Sequence, residues 1–149
     1  GSRSVLSSFG DAVVPSAHAR ILETLGAMLD RGGHHVRANL VNNVTEGPAA
    51  APFAALLATA TVDDTGALNV FAVNRSRTNR YRLKIDASHF RGAGDGTAWR
   101  VNSVDGSPFA VNTVEHPDAV VITKNRTRPD NQLTFAVDAH SVLWLRLTP

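Results

Sequence analysis

The chain has 149 residues, 43% of them hydrophobic and 19% charged, the size and balance of one folded domain with its own core rather than a disordered segment. It contains no cysteine, which excludes disulfides and thiolate metal sites and fits a cytoplasmic protein. The formal charge of +2 gives little support to nucleic-acid binding, and no apolar run approaches the roughly 20 residues that span a bilayer.

The start, Gly1-Ser2-Arg3-Ser4, lacks the charged-then-apolar layout of a signal peptide, and Gly1-Ser2 reads as a scar of tag removal. Residues 1–15 are therefore taken as a flexible start. From Ser16 to about Asp30, Ile21, Leu22, Leu25, Met28 and Leu29 recur at helical spacing. Pro15 and Ser16 suit the beginning of that helix and Gly32-Gly33 its end. A second helix is expected from about His34 to Thr45, with Val36, Leu40, Val41 and Val44 on one side and Arg37, Asn39, Asn42 and Asn43 on the other. Residues 16–46 thus read as a helical hairpin, and residues 47–52, with Pro48 and Pro52, as a linker.

Over residues 53–149 the period changes to two. Tyr81, Leu83 and Ile85 alternate with Arg80, Arg82 and Lys84, and Leu133, Phe135 and Val137 alternate in the same way with Gln132, Thr134 and Asp138. Further strands are expected at Ala55–Val62, Ala67–Asn74, Thr97–Val104, Ala119–Lys124 and Ser141–Thr148. Turn signals separate them at Asp63-Asp64-Thr65-Gly66, Arg77-Thr78-Asn79, Gly92–Gly96 and Arg128–Asn131. Seven or so short strands divided by turns predict a mainly β chain: an antiparallel, jelly-roll-like β-sandwich behind the helical hairpin.

Several segments carry a family pattern. Val111-Asn112-Thr113-Val114-Glu115-His116-Pro117-Asp118-Ala119-Val120 has the form N-T-x-x-x-P-x-x-V, and the chain closes with Ala139-His140-Ser141 before an apolar strand. Arg31, Val36, Ala38, Asn39, Leu40 and, after Val41, Asn42 follow in a matching order, and Val73-Asn74-Arg75 ends another strand. In this order they resemble the C-terminal part of the α-L-arabinofuranosidases of glycoside hydrolase family 51. The resemblance implies a β-sandwich accessory region and, for the parent protein, retaining hydrolysis of terminal arabinofuranosyl residues of hemicellulose or arabinan. It also implies a catalytic barrel, on the same or a separate chain, as the partner. The family's acid/base glutamate follows an asparagine, and no Asn-Glu pair occurs here.

The residues agree with that division of labour. Retaining glycosidases hold two carboxyl groups about 5 Å apart across the sugar ring. The three glutamates, Glu23, Glu46 and Glu115, fall on a helix, beside a linker and in a turn. No catalytic residue and no cofactor is assigned, and the chain is not expected to be an enzyme on its own. His34-His35 with His18 gives no metal site either, because adjacent side chains on a helix point about 100° apart. His140-Ser141 lacks a nucleophile elbow and reads as a turn.

Two other functions fit particular residues. Trp99, Trp144 and Tyr81 are candidate carbohydrate contacts, because exposed rings stack on sugars, and they would make the chain a stand-alone carbohydrate-binding module. Burial in the core is the competing reading for both tryptophans. Arg75, Arg77, Arg80, Arg82 and Lys84 could instead bind a polyanion or nucleic acid, although aromatic interleaving is thin. A homo-oligomer and an arabinose-containing polysaccharide complete the partners considered, with no membrane partner.

Overall fold

Alternating stretches become strands here, because a pleated ribbon sends successive side chains to opposite faces. A computed structural model describes residues 5–88, 90, 95–127 and 133–149. Gly1–Ser4 and the expected turn residues Gly92–Gly94 and Arg128–Asn131 lie outside the described residues. In chain order the elements are β1 (Leu6–Phe9), β2 (Ala12–Pro15), α1 (Ala17–Leu29), β3 (His34–Val36), β4 (Thr45–Glu46) and β5 (Phe53–Ala54). They continue with β6 (Leu56–Val62), β7 (Leu68–Asn74), β8 (Tyr81–Lys84), β9 (Gly96–Ser103), β10 (Val120–Thr127), β11 (Thr134–Val137) and β12 (Val142–Leu147). Each of the strands expected beyond residue 53 is present within a few residues of its expected bounds, and the protein is mainly β.

The central body is a six-stranded antiparallel sheet in the order β10-β9-β12-β7-β6-β3. β12 lies between β9 and β7, so its three consecutive odd residues, Leu143, Leu145 and Leu147, enter one core. That core also takes Val70 and Ala72 from β7 and Ala98 from β9, and it meets Leu83, Phe135 and Val137 of the two-stranded β8–β11 sheet. The even residues Val142 and Trp144 face the other way, into a second core with Phe71, Val101 and Met28 of α1. The described residues therefore stack as three layers: helix, six-stranded sheet and two-stranded sheet. Both faces of β12 are covered, which explains its near-continuous apolar run V-L-W-L-R-L.

The helix begins as its cap predicts. The Ser16 hydroxyl accepts from the Ala19 amide at 3.3 Å, satisfying one orphan donor of the first turn. Its buried side is narrower than the sequence stripe: Ala17, Ile21, Leu25 and Met28 pack on the sheet, while Leu22 and Leu29 are exposed.

The helical hairpin is corrected, because α1 is the one helix among the described residues. Gly32 and Gly33 adopt φ values of 69° and 98°, and this turn leads into β3, which pairs with the edge of β6 (Val36 opposite Ala60). Asn42 at φ 57° would break a helix here as well. Asn43 then replaces a strand neighbour: its amide donates to the Leu56 carbonyl at 2.7 Å and accepts from the Leu56 amide at 3.2 Å. Leu6–Phe9 and Ala12–Pro15, within the stretch expected to be loose, pair as the β1–β2 hairpin, with Gly10 at φ 60° in its turn. Phe53–Ala54 pairs with Thr45–Glu46, so the Gly47–Pro52 segment closes a short hairpin.

Candidate carbohydrate-contact site

The antiparallel register of β9 and β12 sets Trp99 directly opposite Trp144, on the helix side of the sheet. The two rings stack with centroids 3.9 Å apart and planes 14° from parallel. Trp144 is 1% exposed and Trp99 is half-buried, so the pair does not present two open rings to solvent. Lys124, opposite Trp99 on the edge strand β10, holds its Nζ 5.4 Å from the Trp99 centroid, and the Arg31 guanidinium lies 5.8 Å from that of Trp144.

Tyr81 belongs elsewhere. It sits on β8 against the other core, and its hydroxyl donates a short hydrogen bond to Glu46. Asn79 also donates to Glu46 at 2.8 Å. Hydrogen bonds from Asn79 and then Tyr81 hold the Glu46 carboxyl below its ordinary range, and the same contact raises the Tyr81 hydroxyl. The three aromatic candidates thus do not share one surface.

A polar chain behind the tryptophan pair was not singled out from the sequence. The Trp144 indole N–H donates to Asn69 Oδ1 at 3.0 Å, and Asn69 donates to Asp63 Oδ2 at 3.2 Å. Arg146 reaches the same carboxylate oxygen at 3.0 Å and the Thr65 hydroxyl at 2.8 Å. Asp63 also fixes the β6–β7 turn, its Oδ1 accepting from the Thr65 amide, the Thr65 hydroxyl and the Ala67 amide. Burial alone would raise the Asp63 pKa, but these donors outweigh it and hold the carboxyl well below the usual carboxylate range. The D-D-T-G turn signal located Asp63; nothing local pointed to Asn69 or Arg146, since strand pairing brings them there.

Asparagines in the recognised motifs act as clamps. Asn112 accepts from the Val120 amide at 2.6 Å and donates to the carbonyls of Val120 and Pro15, tying the Val111–Ala119 loop to β10 and to the N-terminal hairpin. Asn74 donates to the carbonyls of Asn79, Val137 and Asp138 and accepts from the Ser76 amide. His140 takes φ 40°, donates its amide to the Ser76 carbonyl at 2.7 Å, and Ser141 Oγ donates to Asp138 O at 2.7 Å. The His-Ser pair is a turn, as expected.

The remaining ionisable candidates are dispersed. Glu23 pairs with Arg20 on α1, Glu46 is engaged by Asn79 and Tyr81, and Glu115 lies exposed in the loop before Pro117. Among the described residues no group of three or more His, Asp or Glu is gathered that could hold a metal ion. In the basic run, Arg80 pairs with Asp138 at 2.8 Å and Arg75 lies 4.8 Å over Phe53. No helix among the described residues is long and apolar enough to cross a membrane.

No protein-family model and no curated protein matches the sequence. Solved structures do match the fold. A family 51 arabinofuranosidase from Xanthomonas axonopodis pv. citri superposes over 97% of this chain and 28% of its own, at a TM-score of 0.75 and 16% identity. A thermostable family 51 α-L-arabinofuranosidase from Thermotoga petrophila matches over 97% and 31%, at 0.70 and 18%. One from Bifidobacterium longum matches over 97% and 28%, at 0.71 and 21%. The chain therefore has the fold of one part of these proteins and spans less than a third of their length.

Proposed function

We propose that the chain is a non-catalytic C-terminal accessory domain of an α-L-arabinofuranosidase-like glycoside hydrolase, and that its layers are a jelly-roll-like sandwich serving as a supporting body. The observation that carries this reading is the asymmetry of the fold match: nearly all of this chain against less than a third of each arabinofuranosidase. The carboxylates agree with it. A retaining mechanism needs two carboxyl groups about 5 Å apart across the substrate. Here Glu23 and Glu46 are engaged in local contacts on separate elements, and Asp63 is buried in a structural network.

In this reading a catalytic barrel, on the same or a separate chain, supplies the glutamates and hydrolyses terminal arabinofuranosyl residues of hemicellulose or arabinan. The exposed Leu22 and Leu29 of α1 and Leu57 of β6 offer apolar area for covering by that barrel or by a second copy in a homo-oligomer. The test is direct. Purified chain should release no arabinose from a chromogenic arabinofuranoside, whereas the same chain joined to its upstream barrel should. Release by the chain alone would overturn the accessory reading.

A sugar-contact role has one specific observation behind it, the half-buried Trp99 beside Lys124. Retardation on arabinoxylan in affinity electrophoresis, lost in Trp99→Ala, would support it. Trp144 and Tyr81 add little, one being sealed in the core and the other on the opposite layer.

A further inference from the structure

A cavity of about 230 Å³ lies where the end of β9 meets the turn before β12, lined among others by Asn102, Ser103, Val104, Asp138, Ala139 and His140. Ser103 is 7% exposed, and its hydroxyl finds no hydrogen-bond partner among the described residues. The same holds for His140 Nδ1, a buried atom in a residue whose backbone is held at φ 40° by the Ser76 carbonyl. A buried polar atom without a partner is disfavoured and rare in folded proteins. Here two such atoms, from distant parts of the chain, belong to residues that line one cavity.

We propose that this cavity binds a small, neutral, polyhydroxylated molecule of monosaccharide size. Hydroxyl groups both donate and accept, which suits a wall combining an amide, a hydroxyl and an imidazole. No lysine or arginine is among the described residues that line the cavity, and the Asp138 carboxylate there is already paired with Arg80 at 2.8 Å, so no unpaired Asp, Lys or Arg charge is left in the wall to attract an ionic ligand. Val104 and Ala139 supply an apolar strip for the C–H face of a ring. Both atoms are closed off from solvent as they stand, so engagement calls for side-chain rotations that turn Ser103 Oγ and His140 Nδ1 toward the lumen. The site is separate from Trp99 and does not rest on the accessory role.

Saturation-transfer NMR of the whole chain with L-arabinose or D-xylose, and with glucuronate as a charged control, tests the proposal. The neutral pentoses should show transfer, weakened about tenfold in affinity by Ser103→Ala and by His140→Asn. Asn is chosen because it tolerates the left-handed backbone at that position. Trp99→Ala should leave the signal intact. Should either variant unfold by circular dichroism, Val104→Glu replaces it, since Val104 is 72% exposed and a charge at the rim should also abolish binding. Absence of transfer from either pentose, transfer unchanged in the cavity variants, loss only in Trp99→Ala, or preference for glucuronate would each overturn the proposal.

Discussion

Trp144 and Asn69 meet by a 3.0 Å indole N–H hydrogen bond inside the layer between sheet and helix, where the residues are 1% and 0% exposed. The bond links the aromatic pair to the Asp63–Arg146 ion pair, so the largest buried side chain and the buried carboxylate belong to one network. Aromatic burial alone would explain a phenylalanine at position 144. The indole nitrogen explains why a tryptophan sits there with a polar asparagine diagonally across on β7, where Asn69 pairs with Arg146.

Trp144→Phe should therefore destabilise the protein by more than its lost area. It strips Asn69 Oδ1 of its donor and leaves unfilled volume in a closed core, together worth about 2–4 kcal/mol. Trp99→Phe, at a half-buried position, should cost about 1 kcal/mol. Urea denaturation followed by circular dichroism separates the two; equal midpoints would contradict the asymmetric burial.

The Asp63 carboxyl should make stability fall in acid. Its folded pKa is depressed, so the unfolded state binds the proton more readily, and the stabilisation is complete above the unfolded value near 4. It is lost progressively as pH drops from about 5 toward the lower folded value. Asp63→Asn should flatten that part of the profile and cost about 3 kcal/mol at neutral pH by leaving Arg146 without its counter-charge. A variant with the same slope between pH 5 and pH 3 would assign the acid sensitivity to other carboxylates.

The strands beyond residue 53 were legible because Tyr81, Leu83, Phe135 and Val137 alternate with polar residues or the small Ala136, and burial follows that alternation. Val36, Leu40 and Val44 satisfy helical spacing equally well on paper. The turn at Gly32-Gly33 and the Asn43 amide, standing in for backbone against Leu56, settle that segment as strand and loop instead. A side chain that imitates a main chain leaves no periodic trace. The same holds for the site: Trp99 and Trp144 face each other only because β12 inserts between β9 and β7, a pairing that skips two intervening strands.

Asn112 offers a test of such imitation. Asn112→Asp keeps the acceptor for the Val120 amide but loses the donors to Val120 O and Pro15 O, placing a carboxylate beside two carbonyls. The expected loss is about 2–3 kcal/mol, from two broken bonds and a buried charge. Hydrogen exchange should rise in the loop ahead of β10 and in the β1–β2 hairpin together, because one side chain ties both. Faster exchange in the loop alone would mean that the hairpin is held by other contacts.

Gly33 and Gly10 separate backbone strain from steric exclusion. Both have positive φ, 98° and 60°, so an alanine at either position incurs the left-handed penalty of about 1–2 kcal/mol. A Cβ on Gly10 would meet nothing within 4 Å, and the penalty should be the whole effect there. On Gly33 it would strike the carbonyl oxygen of Val62 and approach the Asp63 Cα to 2.6 Å, and backbone atoms cannot swing aside as a side-chain tip does. Relief requires lifting the start of β3 away from β6, breaking the His34–Val62 pairing. Gly33→Ala should thus destabilise by about 3 kcal/mol or more and raise amide exchange in β3, while Gly10→Ala leaves β3 protected. Comparable losses in the two variants would show that β3 yields easily and that the close approach at Val62 does not constrain the fold.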